Sequence, residues 1–376
     1  MEHNEPISRN VWGRSWHWIN DRYAFDHLFS SLVEVPIPRT VQTYYLGGIT
    51  LFLFSVQVIT GVLLAIYYQP SPGTAYDSIL LIMNDVRFGW LIRSIHAWGA
   101  NLMIIFCVLH LLRVYLQGAY KPPRELTWVA GMLLLLITLG FGFTGYLLPW
   151  DQRAYWATVV GSEIAGALPV IGNFALEFVR GGQEITGLTL SRFFAAHVLV
   201  LPLTLGAMIL IHLVMIHQQG LADPVEYPLN NKTIDEESAN HSVEQYAGEA
   251  SPNGSKWLPF FPNYVLDEVI AWYVLLGIIV VLASLLPAGL EESADPLTTP
   301  AHVKPEWYFL AVYQVLKRVP RTVGVMLPIV GILFLIIWPF LDRNPHKAWR
   351  YRPFAVGVAV LVTIAMIVLS IWGWKS

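Results

Sequence analysis

Apolar residues occur in seven long runs along this chain, separated by shorter polar segments. Each run holds about 20 residues or more, which is the length an α-helix needs to cross the ~30 Å hydrocarbon core of a bilayer. The pattern therefore predicts seven transmembrane helices. They are expected near residues 44–68, 90–116, 127–149, 192–217, 264–286, 323–341 and 353–374.

An eighth apolar run covers residues 154–179, and it is interrupted by Gly161, Gly166, Pro169 and Gly172. Glycine and proline are the weakest formers of helix interiors. We therefore predict a helical hairpin at the membrane interface here and not an eighth span. With the hairpin on one side of the membrane, the second and fourth spans run in the same direction.

The polar segments predict how the chain is divided. Residues 1–40 are polar and aromatic and are expected to lie on the membrane as an interfacial segment. Residues 41–217 form a four-helix module, residues 218–258 a polar linker, and residues 259–376 a three-helix module. The predicted fold class is thus an all-α integral membrane protein, a four-helix bundle followed by a three-helix module.

Basic residues predict the orientation of the spans. Lysines and arginines in short connections are somewhat more frequent on the side that holds the N-terminus, and the positive-inside rule makes that side cytoplasmic. On that side lie Arg9, Arg14, Arg22, Arg39, Lys121, Arg124, Arg343, Lys347, Arg350 and Arg352. The opposite side carries Arg153, Arg180, Lys317, Arg318 and Arg321.

Composition excludes several function classes. Of the 376 residues, 55% are apolar and only 13% are charged, and the formal net charge is −3. A chain of this charge has no basic surface for a nucleic-acid partner. Cys107 is the single cysteine, so no CxxCH motif exists for covalent haem attachment. Any cofactor must therefore use other ligands.

Four histidines lie inside predicted spans, where polar side chains usually mark function. His96 and His110 are 14 residues apart in the second span, and His197 and His212 are 15 apart in the fourth. At ~1.5 Å per residue, the members of each pair are about 21–23 Å apart along the helix. Because the two helices are expected to be parallel, His96 can face His197 and His110 can face His212.

This pattern predicts two haem sites stacked across the bilayer. Two imidazoles hold a bare metal ion poorly, but a haem supplies four nitrogens and needs only two axial ligands. Bis-histidine ligation closes both axial positions, so such haems carry electrons. The predicted ligand pairs are His96 with His197 and His110 with His212.

Glycines and arginines near these histidines support the same prediction. A missing side chain lets a flat macrocycle approach the backbone. Glycines with a 14-residue step occur on the first and third spans, at Gly47, Gly61, Gly131 and Gly145. Arg93 and Arg113 lie three residues from His96 and His110, respectively, and are expected to neutralise haem propionates.

The other histidines lie outside the spans or at their ends, and no special role is expected for them. They are His3, His17, His27, His241, His302 and His346, with His217 considered below.

Three motifs give a more specific indication. The chain contains "IRSIHAWGANLM" at 92–103, "GYLLPWDQRAYWA" at 145–157 and the tetrapeptide Pro305, Glu306, Trp307, Tyr308 within "KPEWYFLAVYQVL". With the histidine pairs, these motifs resemble cytochrome b of the quinol-oxidising bc1 and b6f complexes. The resemblance covers nearly the whole chain, from about residue 10 to residue 374.

Within this family the chain is more similar to the b6f branch, with its two modules fused into one polypeptide. This implies a prokaryotic cytochrome b in the cytoplasmic membrane. Tyr45 stands where the b6f branch has the cysteine for an extra haem, so no covalent haem c is expected. His217 matches the quinone-site histidine of the bc1 branch.

The resemblance implies oxidation of a membrane quinol at the outer side. One electron passes to a Rieske iron-sulfur protein, and the other crosses two non-covalent haem b groups to reduce a quinone at the inner side, which contributes to proton translocation. The low-potential outer haem would use His96 and His197, and the high-potential inner haem His110 and His212. Implied partners are a c-type cytochrome subunit, the lipid bilayer and a second copy of the complex in a homodimer.

The resemblance also assigns individual roles. Glu306 is expected to accept a proton from quinol, with Tyr146 as its hydrogen-bond partner. Pro305, Trp307 and Tyr308 complete this quinol site. At the inner side, His217 with Asp267 and Glu268 is expected to bind quinone and deliver protons.

Two alternatives stay open on the sequence alone. A di-haem membrane anchor of a quinone-linked dehydrogenase also pairs histidines on helices, but it has no PEWY motif. A transporter could use intramembrane histidines as a proton relay. A visible spectrum and the effect of losing Glu306 on quinol oxidation would separate these three functions.

Overall fold

The computed structural model describes residues 36–38, 45–220, 222, 257–301 and 303–376. Its elements in chain order are β1 (Pro36–Pro38), α1 (Leu46–Ala65), α2 (Ala75–Asn84), α3 (Gly89–Leu116), α4 (Glu125–Tyr146), α5 (Gln152–Gly166), α6 (Gly172–Arg180), α7 (Gly187–Gln219), β2 (Trp257–Pro259), α8 (Val265–Leu285), α9 (Leu310–Leu316), α10 (Arg321–Leu341) and α11 (Pro353–Lys375). Short 3₁₀ turns precede α9 at Trp307–Phe309 and α11 at Trp349–Tyr351.

Seven of these helices are long and apolar enough to cross a membrane, which confirms the predicted spans. They are α1, α3, α4, α7, α8 together with the π-helical turn that precedes it, α10 and α11. Large apolar side chains on their outer surfaces are exposed, for example Leu203 at 67% and Leu361 at 68%. An aqueous surface would not expose so many apolar side chains, whereas hydrocarbon solvates them.

The predicted hairpin at 154–179 is present as α5 and α6. Asp151 caps α5 by accepting a hydrogen bond from the Ala154 N–H. The buried Arg180 at the end of α6 donates to Ser162 Oγ at 2.8 Å and pairs with Glu163 at 3.0 Å. These contacts hold α6 against α5.

Residues 45–219 and 271–376 belong to one compact unit. In it α1 packs on α3, α4 packs on α7, and α9 packs on α11. The middle of the bundle is filled by buried apolar side chains from four of the spanning helices: Leu53, Met103, Leu205, Leu275 and Ile279. The walls of both predicted haem sites therefore come from a single packed body.

The other compact unit comprises residues 1–44, 220–223 and 227–270. Its described part consists of the start of α8 and of an antiparallel ribbon in which Ile37 of β1 pairs with Leu258 of β2. Most of the predicted interfacial segment and most of the predicted linker lie outside the described residues. The predicted module boundaries stay a prediction.

A buried polar cluster joins the α3–α4 connection to the end of α10 and the start of α11. Lys121 forms an ion pair with Asp342 at 2.7 Å, and both side chains are less than 10% exposed. The Tyr120 hydroxyl donates to Asp342 and accepts from Trp338 Nε1 and Arg352 Nη1. Burial raises the pKa of the Asp342 carboxyl, but the hydrogen bonds from Lys121 and Tyr120 outweigh it and lower the pKa overall. Asp342 is therefore held as a carboxylate.

Candidate functional site

Helices α3 and α7 place His96 and His197 opposite each other. The imidazole rings of His96 and His197 lie with their centres 6.3 Å apart and their planes at 69°. His110 and His212 lie further along the same two helices, towards their C-terminal ends. We call the two levels of the bundle the His96 end and the His110 end.

A π-helical turn explains the unequal spacing of the two pairs. On a regular helix a 14-residue step returns to within about 40° of the same face, whereas a 15-residue step overshoots by about 60°. In α7 residues Ala196–Val200 form a π turn that contains His197. Pro202, which lacks an N–H donor, lies two residues after this turn. A π turn absorbs one extra residue. His197 and His212 therefore share a face despite their 15-residue step.

Each histidine lies against a glycine of a neighbouring helix. A Cβ atom added at Gly145 would lie 2.5 Å from Cε1 of His197, and one added at Gly61 would lie 3.3 Å from Cε1 of His96. At the other end, an added Cβ atom would lie 3.4 Å from Cε1 of His110 at Gly47 and 3.5 Å from Cε1 of His212 at Gly131. A Cβ at Gly145 would clash with its imidazole and one at Gly61 would be tight, whereas a Cβ at Gly47 or Gly131 would be in van der Waals contact with the ring.

The first and third spans thus supply two glycines each, one for each end of the bundle. Because α1 runs antiparallel to α3, the 14-residue step of Gly47 and Gly61 matches the 14-residue step of the histidines on α3. On α7 the histidines are 15 residues apart, and the π turn absorbs the extra residue, so that they still match Gly131 and Gly145 of the antiparallel α4. The spacing of the glycines in the sequence therefore reflects how α1 and α4 pack against the histidine-bearing helices.

Hydrogen bonds fix the tautomer of both rings at the His96 end. Thr60 Oγ1 lies 2.9 Å from Nδ1 of His96, and the single hydroxyl hydrogen of Thr60 is directed to the Val56 carbonyl at 2.6 Å. Thr60 Oγ1 therefore accepts, and the His96 Nδ1–H donates. The lone pair of the neutral ring is then on Nε2, where a metal can bind.

The same arrangement recurs on α4. Thr144 Oγ1 lies 3.2 Å from Nδ1 of His197 and donates its hydrogen to the Gly140 carbonyl at 2.9 Å. His197 is therefore also an Nδ1–H tautomer with Nε2 left as a ligand atom.

The spacing of the two rings fits a haem iron. Two metal–nitrogen bonds of about 2 Å each, plus about 1 Å from each ring centre to its nitrogen, sum to roughly the 6.3 Å observed between His96 and His197. Among the described residues no group of three or more His, Cys, Asp or Glu side chains could hold a bare ion. A pair of imidazoles completes a metal site only where a macrocycle supplies the other donors.

The His110 end has no counterpart of these threonine contacts among the described residues. The Nδ1 atom of His110 is buried and has no hydrogen-bond partner among the described residues. His110 and His212, with Gly47 and Gly131 beside them, fit the second haem.

The two arginines near the ligands differ in their surroundings. The Arg93 guanidinium donates to the carbonyls of Ala288 and Gly289 at 2.7 and 2.8 Å, so both terminal nitrogens already bind the segment after α8. A propionate contact would have to share this guanidinium. Arg113 lies on α3 one turn beyond His110, at the end where it was expected.

The PEWY tetrapeptide lies at the His96 end. Glu306 precedes the 3₁₀ turn Trp307–Phe309, and the Trp307 indole N–H donates to Asn101 Oδ1 of α3 at 2.6 Å. The Tyr308 hydroxyl lies so close to Gly142 of α4 that an added Cβ would be 2.8 Å from it. Two of the helices that carry the histidine and glycine sites therefore hold this motif in place.

Glu306 has a partly desolvated carboxyl group with two specific neighbours. Burial raises the pKa of Glu306 above its usual range, while the Arg153 charge, the Tyr146 hydroxyl and the Trp307 backbone N–H lower it in part. Tyr146 Oη is itself buried and has no partner at hydrogen-bonding distance among the described residues. Tyr146 follows Gly145, the glycine that touches His197. The expected pairing of Glu306 with Tyr146 is thus compatible with the geometry.

A segment after α8 closes this end of the bundle. The Trp98 indole of α3 donates to the Leu286 carbonyl at 2.8 Å, and the Ala294 N–H donates to the Trp150 carbonyl at 3.0 Å. Glu291 pairs with Arg153 at 2.8 Å. Arg153 is therefore held between Glu291 and the neighbourhood of Glu306.

The residues expected at the second quinone site lie on two helices, α7 and α8. His217 is exposed in the last turns of α7, five residues beyond His212. Asp267 and Glu268 lie in the first turn of α8, in the compact unit that does not contain His217. The joint role of these three residues stays a prediction.

Sequence reasoning missed several residues that the structure places at the His96 end. They are Thr60, Thr144, Asn101, Arg153 and Glu291. A signal existed for two of them, because a threonine directly precedes both Gly61 and Gly145. Asn101 and Arg153 lie inside the motifs quoted above, but their contacts depend on how distant segments fold together.

Comparisons with known proteins agree with this geometry. The family model described as Cytochrome b/b6/petB matches residues 32–220, and the model described as Cytochrome b(C-terminal)/b6/petD matches residues 293–376. The chain belongs to the cytochrome b family. This confirms the resemblance drawn from the motifs, and it shows that the two modules lie on one polypeptide. Haem b binding and electron transport follow from the family, as does the multi-pass membrane location that the seven apolar helices indicate.

Individual relatives extend over most of the chain. The chain is similar to a cytochrome bc complex cytochrome b subunit of Chlorobaculum thiosulfatiphilum, with 36% identity over 92% of this chain and 77% of that protein. It is similar to cytochrome b6 of Heliobacterium mobile, with 47% identity over 56% of this chain and 100% of that one. Among solved structures it is similar to a chain of a hyperthermophilic respiratory complex III, with a TM-score of 0.81, 34% identity and coverage of 95% and 90%.

Proposed function

We propose that this chain is the cytochrome b subunit of a quinol-oxidising bc-type complex that holds two b haems in series. The observation that carries the proposal is the opposed pair His96 and His197, 6.3 Å apart, each with Nδ1 bonded to a threonine and Nε2 left free. His110 and His212 would hold the second haem. When bound, each haem supplies a one-electron carrier.

The chain's own residues would handle the quinol and its protons at the His96 end, which we assign to the outer side. Trp307 and Tyr308, which contact Asn101 of α3 and Gly142 of α4, would bind the quinol. Pro305 restricts the backbone that presents Glu306. A carboxyl group whose pKa is raised by burial is suited to take up a proton from a bound substrate. Tyr146 would orient the carboxylate, and Arg153 would favour its ionised form before the quinol binds.

At the His110 end, His217 would bind and protonate a quinone, with Asp267 and Glu268 as further proton donors. Oxidation on one side and reduction on the other would contribute to proton translocation. The orientation with the N-terminus in the cytoplasm and the location in a prokaryotic cytoplasmic membrane belong to the same proposal.

The named relatives belong to multisubunit complexes, and we propose the same for this chain. The electron acceptor at the His96 end would be a Rieske iron-sulfur protein, followed by a c-type cytochrome or a plastocyanin-like acceptor, in a homodimeric complex. No covalent haem c is proposed for this chain. Both matching family models are of cytochrome b, so neither a dehydrogenase anchor nor a transporter is favoured.

The test is to purify the complex, count its haems and assay quinol oxidation with an artificial acceptor. We expect two acid-acetone-extractable haems per chain and quinol-dependent reduction of the acceptor. A protein with one haem, with covalently bound haem on this chain, or with two haems but no reaction with quinol would contradict the proposal.

A further inference from the structure

The two ends of the bundle differ in one chemical feature. At the His96 end a threonine precedes each cradle glycine, in Thr60–Gly61 on α1 and in Thr144–Gly145 on α4. Both hydroxyl oxygens lie within hydrogen-bonding distance of a histidine Nδ1, at 2.9 Å and 3.2 Å. Both rings at this end therefore donate to a side-chain oxygen on a neighbouring helix.

The His110 end lacks these acceptors. The residue before Gly47 is Leu46, and the residue before Gly131 is Ala130, and neither carries a hydroxyl group. Within the described part of the chain, neither His110 Nδ1 nor His212 Nδ1 has a side-chain hydrogen-bond partner. The difference comes from the sequence, since the backbone positions correspond.

A hydrogen bond at Nδ1 changes the iron ligand on the other side of the ring. When Nδ1–H donates, electron density moves towards Nε2, and the imidazole becomes a more basic ligand. A more basic ligand stabilises the oxidised, more positive iron over the reduced iron. Hydrogen bonding around the ligands is one of the means by which proteins set haem potentials.

We propose that Thr60 and Thr144 are positioning residues that lower the redox potential of the haem at the His96 end below that of the haem at the His110 end. This inference rests on the proposed function, because it requires a haem at each end. The difference favours electron movement from the His96 end towards the His110 end. Two threonines would then give the electron path its direction.

A structural role alone is the competing explanation. Threonine hydroxyls in membrane helices commonly bond a carbonyl one turn earlier, as Thr60 does with Val56 and Thr144 with Gly140. That contact involves only the threonine's own helix. A purely structural role predicts altered stability or haem content when the hydroxyl is removed, but no selective change in the redox potential of one haem.

The experiment is an optical redox titration of the purified complex carrying Thr60→Val and Thr144→Val, singly and together. The matched control is Thr204→Val on α7, an exposed residue whose hydroxyl donates only to the Val200 carbonyl of its own helix. Thr60→Ser and Thr144→Ser keep an acceptor oxygen and serve as the conservative rescue. The two haems are assigned from variants of His96 and His110.

We expect the potential of the His96-end haem to rise in the valine variants and that of the other haem to stay constant. At a fixed ambient potential the ratio of reduced to oxidised haem should increase roughly two- to tenfold for each hydrogen bond lost. The serine variants and Thr204→Val should behave like the wild type. If valine displaces the haem, Thr60→Ala and Thr144→Ala, which only remove atoms, carry the measurement.

The outcomes separate this inference from the proposed function. Two haems with an unchanged potential at the His96 end, or an equal shift at both ends, would overturn the role of the threonines and leave the function intact. A wild-type protein that binds no haem would overturn the proposed function itself.

Discussion

Asn101 Oδ1 accepts a 2.6 Å hydrogen bond from the indole N–H of Trp307, and this contact ties the PEWY segment to the helix that carries His96 and His110. Asn101 lies five residues after His96 on α3, and Trp307 directly follows Glu306. One helix therefore carries His96 and also holds the segment that contains Glu306.

Asn101→Ala should impair quinol oxidation without loss of haem. The variant frees the Trp307 indole, so the carboxylate of Glu306 loses its fixed position, and we expect kcat/KM for quinol to fall roughly 10- to 100-fold. Steady-state kinetics together with the visible spectrum measure this. Ser55→Ala, which removes a hydroxyl bonded only to the Leu51 carbonyl of its own helix, is the control. Wild-type kinetics in Asn101→Ala would show that the contact does not position the site.

Glu306→Gln should keep both haem spectra and lower turnover by roughly 10²–10⁴, the range of general acid-base catalysis. Burial raises the pKa of Glu306, so in the wild type the fraction of ionised, proton-accepting carboxylate increases as pH rises through that elevated pKa. The rate of quinol oxidation should rise with this ionised fraction, and the rise with pH should be absent in Glu306→Gln. A pH profile of quinol oxidation from 5 to 9 measures both effects.

The matched control for this variant is Glu292→Gln, an exposed glutamate in the segment after α8. It removes one carboxylate from the same face of the protein. Equal loss of activity in both variants would assign the effect to surface charge and not to proton uptake by Glu306.

Asp342→Asn should destabilise the protein. The change leaves the Lys121 charge buried without its counter-ion, which costs about 3 kcal/mol in the free energy of unfolding. The pKa of Asp342 is lowered in the folded state, so its contribution is present above the usual range of about 3.9 and is lost as pH falls below it. Thermal melting of the purified complex at pH 7 measures the effect, with the exposed Asp77→Asn as control. An unchanged melting temperature in Asp342→Asn would argue against this ion pair.

Much of the fold followed from the sequence because hydrocarbon imposes a simple rule on it. The seven spans required only runs of about 20 apolar residues, and the α5–α6 hairpin followed from glycine and proline within one run. The pairing of His96 with His197 followed from the step lengths and from the direction of the spans. The reason for the 15-residue step did not, since nothing in the local pattern distinguishes the π turn at Ala196–Val200 from regular helix.

The polar details of the site depended on contacts between distant segments. Arg93 lies one turn from His96, as the spacing predicts, but the carbonyls of Ala288 and Gly289 bind its guanidinium. The Thr60 and Thr144 contacts need two helices to pack at a definite distance, and a sequence pattern does not specify that distance. Apolar periodicity identifies which faces pack, whereas hydrogen-bond partners depend on tertiary geometry.

The central claim is that the two histidine pairs hold two separate b haems, and an optical redox titration of His96→Ala and His110→Ala tests it most directly. Each variant leaves one axial ligand without its partner. We predict that the wild type shows two b-type components, that His96→Ala loses the lower-potential one, and that His110→Ala loses the higher-potential one. Loss of the same component in both variants, with the other component intact, would contradict the pairing of α3 with α7 and the account built on it.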